Sequence, residues 1–398
     1  LSSDLSPMIT PAYTILAIDG GGIRGIIPGK ILAYLEARLA DLAGGEGPRV
    51  AEVFDLVAGT STGGILACGL NAPDENGRPR YRAAELLDLY QGETGQKIFA
   101  QPEGLGRITQ FFGSLASRAK FPAGPLEEVL RAYLGDARLS QACTDLLITA
   151  YNTEAKRPFY FKSSDCRRRP DVEDFPLWEI ARATSAAPTY FPPCRVDYSG
   201  TLKVLDQDFQ LLRKQLTHLS LVDGGVFANN PAMLAYIEAI AAWRLRRQLE
   251  SRRTFTTRGM TAEVAQDSSE VPFFMLSLGT GETGTPYPYE EVMDWGLIEW
   301  VRPLIDILMQ GVSESVDYQM RHLLPPYDDQ EATPRYLRFN VELEPDHAAL
   351  DDASEAHTSR LAGYADRLVQ SETNRAKLDR AVELLWARYQ ARQAAREE

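Results

Sequence analysis

The sequence is poor in the residues that mark several common chemistries. It has four histidines, His218, His322, His347 and His357, and none falls in an HExxH pattern. A His-rich metal site is not expected. Its four cysteines, Cys68, Cys143, Cys166 and Cys194, form no CxxC pair, and they read as reduced thiols of an intracellular chain. Basic charge is short as well: 42 Lys plus Arg stand against 55 Asp plus Glu, a net charge of −13. Such a surface suits no nucleic-acid polymer, whose phosphates need a basic face. No apolar run approaches the ~18 residues needed to cross a bilayer. The opening residues LSSDLSPMIT carry neither the basic nor the apolar part of a signal peptide. Any membrane contact is expected from one side, which places the protein in the cytoplasm, peripheral at a membrane.

What is present suits a soluble globular chain: 398 residues, 44% hydrophobic and 24% charged. That length can bury a layered sheet. Continuous apolar runs predict buried strands at 13–19, 53–58, 146–151, 159–161, 219–222 and 273–278. Helical spacing joins Ile31, Leu35, Leu39 and Leu42, with Pro28 in the first turn and Gly44 and Gly45 at the end. Further helices are predicted over 81–99, 126–134 and 231–249, with an exposed loop over 250–270 and a charged helical tail from about 353. Strands alternating with helices imply an α/β fold, three layers (α/β/α) around a mostly parallel sheet. The partition expected is an arm over 1–12, a catalytic domain over 13–345 and a helical extension over 346–398 packed on it.

The first strand runs into Gly20, Gly21 and Gly22, and Gly20, Gly22 and Gly25 fit GxGxxG. A dinucleotide site is one reading, yet the acid expected at the end of the next strand is missing. Asp41 lies at about the right distance but ends a helix pattern. An oxyanion hole is the other reading. Successive glycines let backbone N–H groups converge on an anion, with a helix N-terminus behind them and Arg24 as a further charge or a brace. A plain tight turn is the third.

Gly59-Thr60-Ser61-Thr62-Gly63 is a GxSxG pentapeptide between a strand and a helix. A serine on such a turn is strained, and small neighbours relieve the clash. Gly63 and Gly64 at the helix start cost about 1 kcal/mol each in helix propensity, which a purely structural turn seldom needs. Ser61 is the candidate nucleophile. The histidine that an α/β-hydrolase needs has no good candidate. Asp223-Gly224-Gly225 offers a base instead, an aspartate ending an apolar strand. In a parallel sheet, Asp19, Ser61 and Asp223 would gather at one edge. An apolar pocket would raise the ordinary carboxylate pKa of ~3.9 toward neutrality. Asp19 is assigned to fixing the glycine loop.

These motifs together resemble the patatin-like phospholipase family. DGGGIRG (residues 19–25) is similar to its oxyanion loop, GTSTGG (59–64) to its nucleophile elbow and DGG (223–225) to its catalytic-aspartate turn. ARATSAAPTYFPP (181–193) and SLGTG (277–281) are also similar. The resemblance implies a lipid acyl hydrolase with a Ser61–Asp223 dyad. Gly20, Gly21 and Gly22 would form the oxyanion hole with Arg24 beside them, and no metal or cofactor is implied. Its substrate would be a phospholipid or another acyl lipid, met at a transient membrane contact. A ligand- or nucleotide-gated effector of the same fold is the alternative, with a small-molecule activator or a homo-oligomer left open.

Three further stretches bear on lipid contact. Residues 105–121, with Phe111, Phe112, Leu115 and Phe121 among basic residues, suit either a membrane-facing lid or core packing. Residues 295–309 form a second apolar stretch, expected to be broken by Pro303. Arg167, Arg168 and Arg169 read as a solvated loop.

Overall fold

The computed structural model describes residues 11–100, 119–205, 211–257, 273–284, 286–326 and 334–397. Its strands are β1 (Tyr13–Ile18), β2 (Leu56–Gly59), β3 (Asp145–Asn152), β4 (Arg157–Lys162), β5 (Cys194–Asp197), β6 (Thr201–Leu205), β7 (Leu211–Gln215), β8 (His218–Asp223), β9 (Phe273–Leu278), β10 (Glu282–Thr283), β11 (Tyr336–Phe339) and β12 (Glu342–Leu343). The central sheet has the order β11-β9-β1-β2-β3-β8-β5, with β4 also on β3.

Apolar residues on both faces make β1 a central strand. All six of its residues are buried, and successive ones point to opposite sides. Leu16 and Ile18 pack under the helices Ile26–Ala43 and Thr62–Asn71, and the C-terminal helices Glu355–Gln370 and Glu372–Glu397 join the same core. Tyr13, Ile15 and Ala17 face the helices Ala232–Thr257 and Leu297–Leu323. Each fully buried Leu or Ile contributes about 1.5–3 kcal/mol over exposure. The result is the expected three-layer α/β/α fold with C-terminal helices.

From β11 to β3 the strands run parallel. β4 and β8 do not: both are antiparallel to β3, with Asp223 of β8 paired to Ala150, and β5, antiparallel to β8, turns back to the common direction. β2 and β8 share one edge of β3, because β4 occupies the other edge along residues that overlap both. Gly59 pairs with Ile148, two residues before the partner of Asp223. Thus β2 and β8 approach tip to tip along that edge, with Thr149 between them. The parallel arrangement expected to gather Ser61 and Asp223 is replaced by two strands running head-on.

Three helix expectations change. The segment 81–99 divides into a short 3-10 turn, Glu85–Leu89, and the helix Gly92–Ile98, because Gly92 takes φ 59°. The helix Ala232–Thr257 continues into the stretch expected as loop. Pro303 does not break the helix Leu297–Leu323; it lies in the second turn, where one backbone donor is lost and the helix runs on.

Candidate active site

The turn after β2 puts Ser61 at φ 55° and ψ −124°, and Ser61 caps the helix Thr62–Asn71. Such backbone costs a non-glycine residue of order 1–3 kcal/mol and must be held by its surroundings. Three contacts hold it. The Ser61 N–H donates to Thr184 Oγ1 at 2.8 Å. Thr60 Oγ1 donates to Ala228 O at 2.7 Å and accepts from Thr149 Oγ1 at 2.8 Å. The helix start lies against the main chain of β1, since a Cβ on Gly63 would sit 2.2 Å from Ile18 O. Gly59 is equally confined: its Cβ would sit 2.3 Å from Gly63 O. Gly64 packs on Thr184 and Ile148.

Asp223 ends β8 and is 4% exposed. Its N–H donates to Ala186 O at 3.0 Å. Gly225 N–H donates to Asp223 Oδ1 at 2.7 Å, and Ser61 lines the same cavity as the carboxyl group. Gly224 lies against Thr149, where a side chain has no room. Burial pushes the Asp223 carboxyl up to about 7, although nearby Ser61 and the Gly225 N–H favour its charged form.

The glycine loop adjoins Ser61: a Cβ on Gly20 would lie 3.1 Å from Ser61 Cβ. Gly21 and Gly22 line the cavity that contains Ser61 and Asp223. Gly20 departs from the expectation of three free donors, because its N–H is bonded to Asn229 O at 3.0 Å. Arg24 lies outside the site, its guanidinium buried. It is absent from the cavity lining, and burial lowers its pKa to about 10 against the pull of Asp306 and Tyr190. Asp19 braces the loop through a buried bidentate pair with Arg338, at 2.6 and 3.3 Å. Thr280, from the SLGTG stretch, donates to Gly20 O at 2.6 Å, and Ile23 N–H reaches Leu350 O at 2.9 Å.

The cavity measures about 200 Å³. Beyond Ser61 its walls are mostly apolar, among them Ile65, Leu89, Phe99, Leu126, Leu130 and Phe191. None of the four histidines lines it. His218 opens β8, at the far end from Asp223, and bonds Glu154 at 3.2 Å. Asp41, the acid weighed for a dinucleotide, pairs with Arg38 on the last turn of the helix Ile26–Ala43. Thr60, Thr184, Arg338 and Leu350 were not singled out from the sequence. Thr60 and Thr184 lie inside the stretches 59–64 and 181–193 noted for their resemblance, whereas nothing local marks Arg338 or Leu350.

Residues 101–118, which include Phe111, Phe112 and Leu115, lie outside the described residues. Phe121 is core, 2% exposed and packed against Phe99 and Phe191. Arg167 and Arg168 lie on the short helix Ser163–Arg168, and Arg169 follows it; they pair with Asp145, Asp165 and Glu173 respectively. Among the described residues, no helix is long and apolar enough to cross a membrane.

Comparison with known proteins agrees with the motifs. The family profile described as patatin-like phospholipase matches residues 16–236. Patatin-like protein 2 of Arabidopsis thaliana is 34% identical over 400 residues, covering 95% of this chain and 89% of that protein. Patatin-like protein 1 of Oryza sativa subsp. indica is 32% identical, covering 92% and 83%. Patatin-01 of Solanum tuberosum is 32% identical, covering 91% and 85%. Among solved structures, VipD from Legionella pneumophila aligns with 90% of this chain and 68% of its own at 11% identity and a TM-score of 0.30, a likeness too slight to carry function.

Proposed function

The chain belongs to the patatin-like phospholipase family, and from that membership we propose a carboxylic-ester hydrolase for phospholipids or related acyl lipids that works through a Ser61–Asp223 dyad. Family membership supports the lipid hydrolase. The observation that carries the dyad is the meeting of Ser61 and a buried Asp223 in one cavity, where burial raises the carboxyl to about 7. A base is most effective when its pKa is near the working pH.

In the first half-reaction Asp223 takes the Ser61 hydroxyl proton while Oγ attacks the ester carbonyl carbon. The carbonyl oxygen becomes an oxyanion, met by the N–H groups of Gly21 and Gly22. Each such donor contributes ~10²–10³ in rate. Asp223 then returns its proton to the leaving alkoxide, and an acyl-Ser61 remains. In the second half-reaction a water gives Asp223 a proton and attacks the acyl carbon. Fatty acid leaves as the proton returns to Ser61. The acyl chain would lie along Ile65, Leu126, Leu130 and Phe191 in the apolar cavity.

The catalytic domain is taken as residues 13–345, with 346–398 an extension that reaches the site through Leu350, a cavity-lining residue. Ser61→Ala and Asp223→Asn test the dyad in purified protein. Each should abolish hydrolysis of a soluble ester while circular dichroism stays native. Full activity in either variant would remove the mechanism.

A further inference from the structure

The helix Leu297–Leu323 presents two adjoining apolar stripes near its N-terminal end. Ile305, Leu308 and Met309 line the catalytic cavity. Leu304, Ile307 and Leu308 are turned to solvent, exposed by 48%, 43% and 50%. Their spacing of three and four residues puts them on one face. Leu308 belongs to both stripes. Val226, beside the Asp223 turn, likewise lines the cavity and is exposed. Leu308 and Val226 therefore join the outer surface to the cavity wall, and through them an acyl chain has an apolar route between the two.

The segment before this helix extends the patch. Tyr289 and Met293 are strongly exposed, and Tyr287, Trp295 and Trp300 meet edge to face at 5.4 and 5.1 Å. Rings with an apolar body and a polar tip suit the headgroup layer of a bilayer. The charge of this segment is mostly of one sign. Between Tyr287 and Glu314 stand Glu290, Glu291, Asp294, Glu299, Asp306 and Glu314, against Arg302 alone. The first five of those acids are exposed. Peripheral proteins that favour anionic leaflets place Lys and Arg beside their apolar anchors. Here the exposed charges interspersed with the anchors in sequence are carboxylates, of which Asp306 also acts on Arg24.

We propose that the surface from Tyr287 to Met309 docks the protein on lipid whose headgroups carry no net charge, and that its exposed acids turn it away from anionic lipid. The docking feeds the cavity and so rests on the acyl-hydrolase reading above. It adds a choice of interface that the catalytic residues do not make.

The test uses the full chain with Ser61→Ala, so that no lipid is consumed, in flotation with vesicles. One set is phosphatidylcholine alone; the other is phosphatidylcholine mixed with phosphatidylglycerol. At low salt the protein should float with the first set and bind the second about tenfold less. High salt should narrow that gap, because it shortens the reach of the carboxylates. Leu304→Ser/Ile307→Ser should weaken binding to phosphatidylcholine about tenfold. Glu290→Lys/Glu291→Lys should improve binding to the mixed vesicles. Met293→Ser, which lies outside the helix, gives a second measure of anchoring should the helix pair destabilise the fold.

Hydrolysis of monomeric p-nitrophenyl butyrate by the otherwise wild-type forms separates the two readings. Activity on that ester, together with vesicle binding unmoved by the anchor variants, would overturn the docking surface and leave the hydrolase standing. Vesicle binding as described without activity on any ester would do the reverse. Equal or tighter binding to the anionic vesicles would overturn the choice of interface. Self-association in place of vesicle binding, lost in Leu304→Ser/Ile307→Ser, would give the patch to a second copy and overturn the proposal.

Discussion

The hydroxyls of Thr60 and Thr149 lie 2.8 Å apart, in the gap where β2 and β8 approach tip to tip along β3. Thr60 also donates to Ala228 O, at the end of the short helix that follows Asp223. One buried side chain thus ties the serine turn to the strand that borders both turns, and to the aspartate turn itself.

Replacing Thr60 by Val removes that tie at nearly constant volume. Ala228 O loses its donor, and Thr149 loses its acceptor. Leaving buried polar groups unpaired costs about 1–3 kcal/mol. A displacement of ~1 Å between reacting groups costs ~10²-fold in rate. Thr60→Val should lower kcat by at least about tenfold with little change in KM, and Thr60→Ser should recover most of it. Steady-state kinetics on a soluble ester checks this. An equal loss in Thr60→Ser would show that the methyl group, not the hydroxyl, matters.

The raised Asp223 carboxyl makes a prediction with a definite sign. Only its charged form accepts the Ser61 proton, so kcat/KM should rise with pH through about 7 and then level off. Stability runs the other way. Folded Asp223 holds its proton up to about 7, whereas the ordinary carboxyl loses it near 3.8. The contribution is fully present below the unfolded value and is lost as pH rises through the folded one. Asp223→Asn keeps the shape and never ionises. Its melting temperature should exceed that of the wild type at pH 8, and the difference should shrink at pH 5. A difference independent of pH would refute the assigned shift.

Asp19 and Arg338 are both buried, and their bidentate pair joins the end of β1 to β11 beneath the glycine loop. Breaking one partner of such a pair costs about 3–5 kcal/mol, because the other charge remains buried. Arg338 also donates to Ser277 Oγ at 2.9 Å, which alone does not neutralise it. Asp19→Asn should therefore lower the melting temperature sharply and reduce hydrolysis by loosening Gly21 and Gly22. Asp19→Asn/Arg338→Met should regain stability relative to the single variant. A denaturation series on the three proteins measures both effects.

Reading the sequence located the chemistry better than it located the reason for the meeting. Gly59, Gly63 and Gly64 were conspicuous because close backbone approach leaves a mark in composition. The direction of β8 leaves no such mark, since HLSLVD is equally apolar in either orientation. Asp223 was expected beside Ser61 from a parallel sheet; it arrives there because β8 comes head-on and stops at Ala150. Thr184 and Leu350 act through contacts 123 and 327 residues away in sequence, which local patterning does not encode. Gly92 broke a helix whose apolar spacing was sound, and the left-handed turn there outweighed the periodicity.

His218 is the last point on which the dyad and a conventional triad differ. It shares β8 with Asp223, which makes it the histidine nearest in sequence to the proposed base. The strand carries it away from the cavity, and its ring nitrogens lie 3.1 Å from Thr217 and 3.2 Å from Glu154. An exposed pair of that kind contributes about 0–1 kcal/mol. His218→Ala should keep hydrolysis of a soluble ester within about twofold of wild type and shift the melting temperature by only a few degrees. Loss of a triad histidine instead lowers kcat by orders of magnitude, ~10⁶ in a serine protease. The measured rate therefore has two well-separated expected values, and the pH profile supplies a second criterion. The rise through about 7 should persist in His218→Ala if the titrating group is Asp223. Its disappearance would transfer the role of base to the imidazole.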